Sequence, residues 1–455
     1  MTVLARPFAL VAILLCFAPG FALAQTDVVT TLPPNIVVPN YAGVPAGPYG
    51  GLEASAYVAR ANDPSAAWFN PAGLSRSTGA EITGSAGLYQ LTSVSPNALP
   101  NSGGSVHQVP NLVGFTFKSG KLAMGAAFLT TLSWQQETDS QLVRTDPSQN
   151  PDRIAYSANS SLSQQVAAFS AGYDNGKRWR LGGGIAISYT GLDMAETVSE
   201  RIGTPTGLQT LLVGSHASGS TVQVRPLIGV QIEPTAKIRI GGLMRTSGFS
   251  VIRSGSATLD GTVDRGAASI GSSLFDASAD FEYKQPFEVA GGVAYVTPRA
   301  EIEADVLAYS SIAPYSMFAS SQPFVVYADS GSGTSPSVTK YPFGGLTSAS
   351  RAMANVSVGG HVQPWRNHRV LVHFGIASDL SPVAPEDQVF DRVNFTAWTL
   401  GLSGAIGKLT YAAGVNYRGG TSDAIVVRNV LTAQPVETSA HITTIGMIYS
   451  LAYQF

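Results

Sequence analysis

The last fifteen residues, HITTIGMIYSLAYQF (441–455), decide the fold. From Thr443 every second residue reads Thr443, Ile445, Met447, Tyr449, Leu451, Tyr453, Phe455, and the set between them reads Thr444, Gly446, Ile448, Ser450, Ala452, Gln454. A period of two puts one set on each face of a β-strand, one face apolar and the other small or polar. A long apolar strand face ending on an aromatic residue needs a cover, and in a transmembrane β-barrel lipid supplies it.

Working outward, the whole chain has the composition such a barrel needs. Of its 455 residues 44% are hydrophobic and only 12% charged, about half the charged share of ordinary soluble domains. Mean hydropathy is +0.14. No apolar run after residue 24 is long enough for a spanning helix, so the greasy character has to be carried by strands. The 48 glycines suit closely packed, tilted strands. A formal net charge of −2 argues against a nucleic-acid binder.

At the other end, Arg6 precedes an apolar run over 8–17, and Ala22-Leu23-Ala24 fits a cleavage site before Gln25. Residues 1–24 are expected to be a secretory signal peptide. The single cysteine, Cys16, lies inside it, so no disulfide or thiolate chemistry is expected of the mature chain.

Beyond residue 79 the alternation predicts strands near 79–93, 106–118, 121–136, 160–174, 178–196, 219–233, 237–256, 277–297, 300–316, 349–365, 368–380, 392–406, 409–424 and 438–455. That is about fourteen, the even number typical of bacterial single-chain barrels. Tight turns such as Ser119-Gly120, Asn175-Gly176 and Gly407-Lys408 alternate with long connections, among them 197–218 and 257–276. Short turns on one rim and long loops on the other is the outer-membrane layout, with both chain ends on the periplasmic side. In the ninth strand Glu301, Glu303 and Asp305 share a face, which in lipid has to be the lumen. Residues 25–78 precede the barrel, and a barrel this wide needs filling or it is an open pore.

Within that leader, Ala56-Tyr57-x-Ala59-x-Ala61-x-Asp63-x-Ser65 followed by Asn70-Pro71-Ala72-Gly73-Leu74 resembles the plug signature of the FadL-like family, outer-membrane transporters of long-chain fatty acids and other hydrophobic compounds. Pro286, Gly292, Tyr295 and Asp305 are similar to that family's late-strand pattern, and Val109-Pro110 to the opening of its second strand. Tyr309-Ser310 stands where the family often has a tryptophan. Tyr453 and Phe455 resemble the general signal read by the barrel-insertion machinery. The resemblance implies a fourteen-stranded barrel (79–455), an N-terminal plug (within 25–78), ligand capture at outer loops, and sideways release through a wall gap beside the third strand.

Candidate residues follow. Asn70, Pro71, Ala72 and Gly73 form the plug motif. Leu208, Leu211, Leu212 and Val213 on one outer connection, with Ile270, Leu274 and Phe275 on another, are candidate ligand-docking positions; apolar residues there either bind something or cover each other as a lid. Arg180, Arg239, Arg245, His373 and Arg418 are candidate lumen charges for a ligand carboxylate, weighed against pairing with lumen carboxylates. The six histidines show no local metal-ligand spacing, and no cofactor or metal is expected. No nucleophile elbow or phosphate loop is present, so the chain reads as a non-enzyme. Expected partners are a long-chain fatty acid or other hydrophobic ligand, outer-membrane lipid and lipopolysaccharide, for a monomer in the Gram-negative outer membrane. Uptake of monoaromatic or other uncharged hydrocarbons is the alternative cargo; a lipid-modifying enzyme and a general aqueous porin are the other classes.

Overall fold

The computed structural model describes residues 35–42, 46–96, 102–143, 153–204, 207–264, 268–331, 335–343, 345–365, 370–428 and 435–455. The predicted signal peptide lies outside the described residues. The strands close into one antiparallel barrel of fourteen staves. Six are unbroken at the start: β1 (Glu81–Pro96), β2 (Ser102–Ser119), β3 (Leu122–Val143), β4 (Arg153–Asp174), β5 (Trp179–Thr204) and β6 (Gly207–Ile232). Four are each interrupted once: β7 (Ile238–Arg245) with β8 (Phe249–Asp264), β9 (Ser269–Phe281) with β10 (Glu288–Val296), β11 (Ala300–Tyr309) with β12 (Ile312–Ala319), and β15 (Leu346–Ser350) with β16 (Met353–Val362). Four more complete the ring: β17 (Val370–Asp379), β18 (Asn394–Ile406), β19 (Leu409–Arg428) and β20 (Pro435–Gln454). An extra hairpin, β13 (Pro323–Asp329) and β14 (Ser337–Pro342), rises beyond the wall and pairs with β9.

The opening stretch of sequence closes the ring: β20 pairs with β19 on one side and β1 on the other, with Tyr453 opposite Ile82 and Leu409. Ile445, Met447, Tyr449, Leu451, Tyr453 and Phe455 all point outward and are exposed to what surrounds the barrel, as the period of two predicts. At the rim of short turns, Gly120, Gly176 and Gly407 take positive φ (59°, 74° and 60°), the conformation a tight hairpin turn demands.

Where staves break, their backbone groups find partners elsewhere. Gly248 N donates to Gln285 O (3.3 Å), Ser310 N to Phe287 O (2.9 Å) and Glu282 N to Met317 O (2.9 Å). Pro286, which has no N–H, sits in one break.

The strands are longer than the alternation indicates. Positions 197–218, expected as a loop, pair as the upper parts of β5 and β6, from Thr197 opposite Gly214 to Thr204 opposite Gly207. Positions 257–276 likewise pair as β8 and β9. The reason lies in β5. Up to Tyr189 its outward residues are Trp179, Leu181, Ile185, Ile187 and Tyr189; above it, Leu192, Met194 and Val198 turn inward and are buried, while Asp193, Thr197 and Ser199 face out. The apolar face changes sides although pairing with β4 and β6 runs on without a shift.

The inward apolar residues of the upper half form one large core. Leu132, Trp134, Leu162, Leu192, Phe281, Phe318 and Phe395 pack around Ile36, Val37 and Val38 of an extended leader segment. Trp134 Nε1 donates to Ile36 O (2.7 Å), and Asn40 Nδ2 donates to Asp379 O and Val393 O (2.9 Å each). The leader therefore runs up the inside of the barrel.

Candidate functional site

Below that core, residues 46–77 are enclosed by the strands. Their backbone approaches the wall closely because the wall offers glycine. Gly172, Gly182 and Gly229 are successive partners across β4, β5 and β6. A Cβ on Gly182 would meet Pro71 C and Ala72 N at 2.3 Å, and one on Gly229 would meet Asn70 Oδ1 at 2.1 Å. The Asn-Pro-Ala-Gly motif is thus seated on a glycine ladder. Asn70 caps the 3-10 turn Pro71–Arg76, its Oδ1 accepting from Ala72 N (3.2 Å), while Nδ2 donates to Val58 O (2.8 Å) and Val230 O (3.0 Å). Pro71 opens that turn, where its missing N–H costs nothing. Gly73 lies against Ala61 O, which leaves no room for a Cβ (1.9 Å).

The two stretches that carry the family resemblance meet each other. Asp305 Oδ2 accepts from Tyr57 N (2.8 Å) and Val58 N (3.0 Å), and Glu303 accepts from Ala59 N and from Arg60 Nε (2.7 Å). Arg60, fully buried, also pairs with Glu53. Burial alone raises the Glu53 carboxyl, but Arg60, His361 and His373 overcome it and hold Glu53 at about 2. His361 Nδ1 and His373 Nδ1 each lie 2.8 Å from the same Glu53 oxygen. In the same segment burial pushes the Asp63 carboxyl up to about 6, against the hydrogen bonds it accepts from Ser65 and Ala66.

Between this segment and the upper core lies a cavity of about 90 Å³. Its lining mixes Trp68, Phe69, Leu129, Leu132, Leu243 and Leu307 with Tyr41, Tyr283 and Tyr309. Two arginines, Arg225 and Arg245, face one carboxylate, Glu288, at this cavity. The Arg245 guanidinium stacks on Trp68 (3.6 Å to the ring centre) and donates to Trp68 O (2.6 Å), while its Nε has no hydrogen-bond partner. Arg225 donates to Thr246 O and Pro286 O (2.9 and 2.8 Å). A second, more apolar cavity of about 60 Å³ lies higher, lined by Met194, Leu259, Leu274, Phe318 and Leu346.

The lower cavity reaches the wall where the wall parts. Among the described residues β2 pairs with β3 only over 112–119, while its upper part pairs with β1 alone. Above Leu129, β3 pairs only with β4, with a bulge at Thr131. Residues 129–132 all line the cavity. Pro110, with no N–H, stands at the end of the shared ladder.

Of the docking candidates, the structure divides each group by face. Leu211, Val213 and Leu274 are buried with Leu259 and Phe324 in a cluster of their own. Leu208, Leu212 and Phe275 point the other way and are exposed, Phe275 by 72%. Ile270 is partly buried. The positions are paired strand, not irregular loop, so neighbouring residues cannot share a groove; only Leu274 lines the upper cavity. The five lumen candidates all face inward and each has a partner. Arg180 and Arg239 pair with Glu233 (3.2 and 3.6 Å), Arg418 with Asp379 over the Phe395 ring, and His373 with Glu53. Only Arg245 reaches the lower cavity. Sequence reasoning did not single out Arg225 or Glu288, though Thr221, Gln223 and Arg225 follow the same inward alternation as the five lumen candidates.

No protein-family model matches the chain, and no curated protein matches it. Among solved structures it is similar to a FadL homologue from Pseudomonas aeruginosa (TM-score 0.58, 14% identity, 91% of this chain and 100% of that one). It is also similar to the toluene transporter TbuX from Ralstonia pickettii (0.53, 15%, 91% and 99%) and the toluene transporter TodX from Pseudomonas putida (0.57, 12%, 90% and 99%). At these identities the likeness is one of fold.

Proposed function

We propose, from its FadL-like barrel fold and the cavity above the leader, that this chain is an outer-membrane transporter of hydrophobic small molecules and that its cargo is a long-chain fatty acid. Residues 46–77 act as the plug. Cargo enters the apolar upper cavity, passes to the lower one, and leaves sideways where β2 and β3 part, so that it reaches the bilayer without crossing an aqueous pore. Each methylene buried contributes roughly 0.8 kcal/mol, so an alkyl chain in an apolar cavity binds without many polar contacts.

The observation that favours a carboxylate over an uncharged hydrocarbon is the charge at the lower cavity. Arg225 and Arg245 outnumber Glu288, and Arg245 keeps one buried N–H unpaired. A buried unpaired donor is costly, and a ligand oxygen would relieve it. The test compares oleate with its methyl ester for binding to purified protein in detergent, with toluene as competitor. Oleate should bind at least about tenfold more tightly than the ester, the 1.4 kcal/mol of one charge-assisted bond. Equal binding of acid and ester, with competition by toluene, would instead support uncharged hydrocarbon cargo.

A further inference from the structure

We propose that Glu53, His361 and His373 form a binding site for a divalent transition-metal ion, Zn²⁺ in particular, which fastens the leader to the barrel wall. The ligand set is invisible in the sequence because it is assembled across two strands and the leader. His361 and His373 are direct partners in the β16–β17 ladder, with ring centres 5.2 Å apart. Both turn Nδ1 to the same Glu53 oxygen at 2.8 Å, and the three ligand atoms lie within 4.8 Å of one another. Two histidines and a carboxylate with a fourth position free is a recurrent three-ligand zinc set. Ligands about 2.1 Å from a tetrahedral ion stand about 3.4 Å apart; each histidine nitrogen therefore moves about 0.6 Å away from the Glu53 oxygen, from 2.8 Å.

The surroundings are built around that convergence. Gly359 and Gly375, also partners in the ladder, stand two residues from His361 and His373 on the same inward face. A Cβ on either would strike the Glu53 backbone, at 2.1 and 2.5 Å. The two glycines therefore let Glu53 reach between the two histidines. The residues that follow, Ala54 and Ser55, hold positive φ (51° and 64°), unusual for side-chain-bearing residues and often found where a site fixes the backbone. His373 Nε2 lies 2.7 Å from Ser403 Oγ, the outer partner that sets the ring orientation of a metal-ligating histidine. On binding, the Nδ1 protons that bridge to Glu53 are given up and each ring carries its proton on Nε2, where Ser403 can accept it from His373.

Charge supports a cation here. Glu53, Glu301 and Glu303 gather around one arginine, Arg60, and of these three carboxylates Arg239 reaches Glu301 alone (3.6 Å). Glu53 can bridge, one oxygen to the ion and the other to Arg60.

The experiment uses the full mature protein in detergent, purified without a histidine tag, stripped with chelator and then equilibrated with Zn²⁺ or Co²⁺. We expect one ion retained per chain after desalting, and a tetrahedral ligand-field absorption with Co²⁺. H361Q/H373Q should lose affinity by about tenfold or more. H216Q/H441Q, which removes two histidines remote from the trio, should bind like wild type. Wild-type protein that retains no ion overturns the proposal without any variant. So does an ion that H361Q/H373Q, shown to be folded by heat-modifiable migration, retains as tightly as wild type.

Discussion

The lower and upper halves of β5 are one strand with opposite chemistry. From Trp179 to Tyr189 the outward face is apolar and the inward face carries Arg180, Gly182, Ser188 and Thr190; from Gly191 upward the outward face is polar and Leu192, Met194 and Val198 look in. β4 does the same. Phe169 and Tyr173 face out below, whereas Ile154, Tyr156 and Leu162 are buried above, behind outward Ser157, Ser161 and Ser163. The ten steps from Trp179 to Tyr189 rise roughly 33 Å along a strand, and a tilt of about 40° makes that about 25 Å, the height of an outer-membrane barrel's apolar band. What covers the strand changes at Tyr189, and the side chains change face with it.

The lumen differs as sharply between the halves. Below, the interior is filled by the leader through charge, backbone hydrogen bonds and glycine contacts; above, it is an apolar core around Ile36, Val37 and Val38. The largest effect is therefore expected from breaking the lower half's charge network. Arg60→Leu leaves Glu53 and Glu303 buried without their cation, and should cost on the order of 3–5 kcal/mol in urea unfolding from detergent or vesicles. An unfolding midpoint equal to wild type would mean that the leader is not held by this network.

A finer cut sets two neighbouring glycines against each other. Gly182→Val drives a side chain into Pro71 and Ala72, whereas Gly183→Val points outward, where the nearest atom is 3.5 Å away. Planar-bilayer conductance should rise by about tenfold or more for Gly182→Val as the leader is displaced, and stay near wild type for Gly183→Val; the basis is overpacking of a tight interface. Matching traces from the two variants would show that the leader does not block the lumen.

These contrasts also explain what was legible in the sequence. The closing strand reads plainly because one face stays apolar from Ile445 to Phe455. The number and order of staves was legible for the same reason, since each crosses the apolar band. The upper strands were not, because alternation changes sense after Tyr189 in β5, and the strand expected to stop at 196 runs on to Thr204. In β3 a bulge at Thr131 achieves the change of face instead. Leu122, Met124 and Phe128 face out and Leu132 and Trp134 face in, although all five are even-numbered. Continuous alternation in sequence therefore hides a switch of environment. Asn70 was legible through its motif, whereas the Glu53–His361–His373 convergence depends on a cross-strand register that no spacing along the chain reveals.

The smallest expected effect concerns Asp63, at the foot of the leader. Burial raises its folded-state carboxyl to about 6 from an ordinary 3.8. Its ionisation is thus disfavoured in the fold. Stability is fully present below pH 4 and is lost as pH rises to about 6, with the deficit constant above. Relative to wild type, Asp63→Asn should gain stability between pH 4 and 6 and hold a steady advantage above, read from urea midpoints. A difference independent of pH would mean that this carboxyl titrates at its ordinary value.

Cysteine accessibility along β5 tests most directly the claim that lipid covers the lower face while the upper half encloses cargo. The only cysteine of the sequence, Cys16, lies in the predicted signal peptide, so single cysteines placed in the barrel report cleanly. At positions 185 and 187, in protein reconstituted in vesicles, a membrane-dissolved maleimide should react and a water-soluble one should not. At 193, 197 and 199 the water-soluble reagent should react, and at 194, beside the upper cavity, whatever labelling occurs should fall when oleate is added. Free labelling of 185 and 187 by the water-soluble reagent in the folded protein would contradict the account.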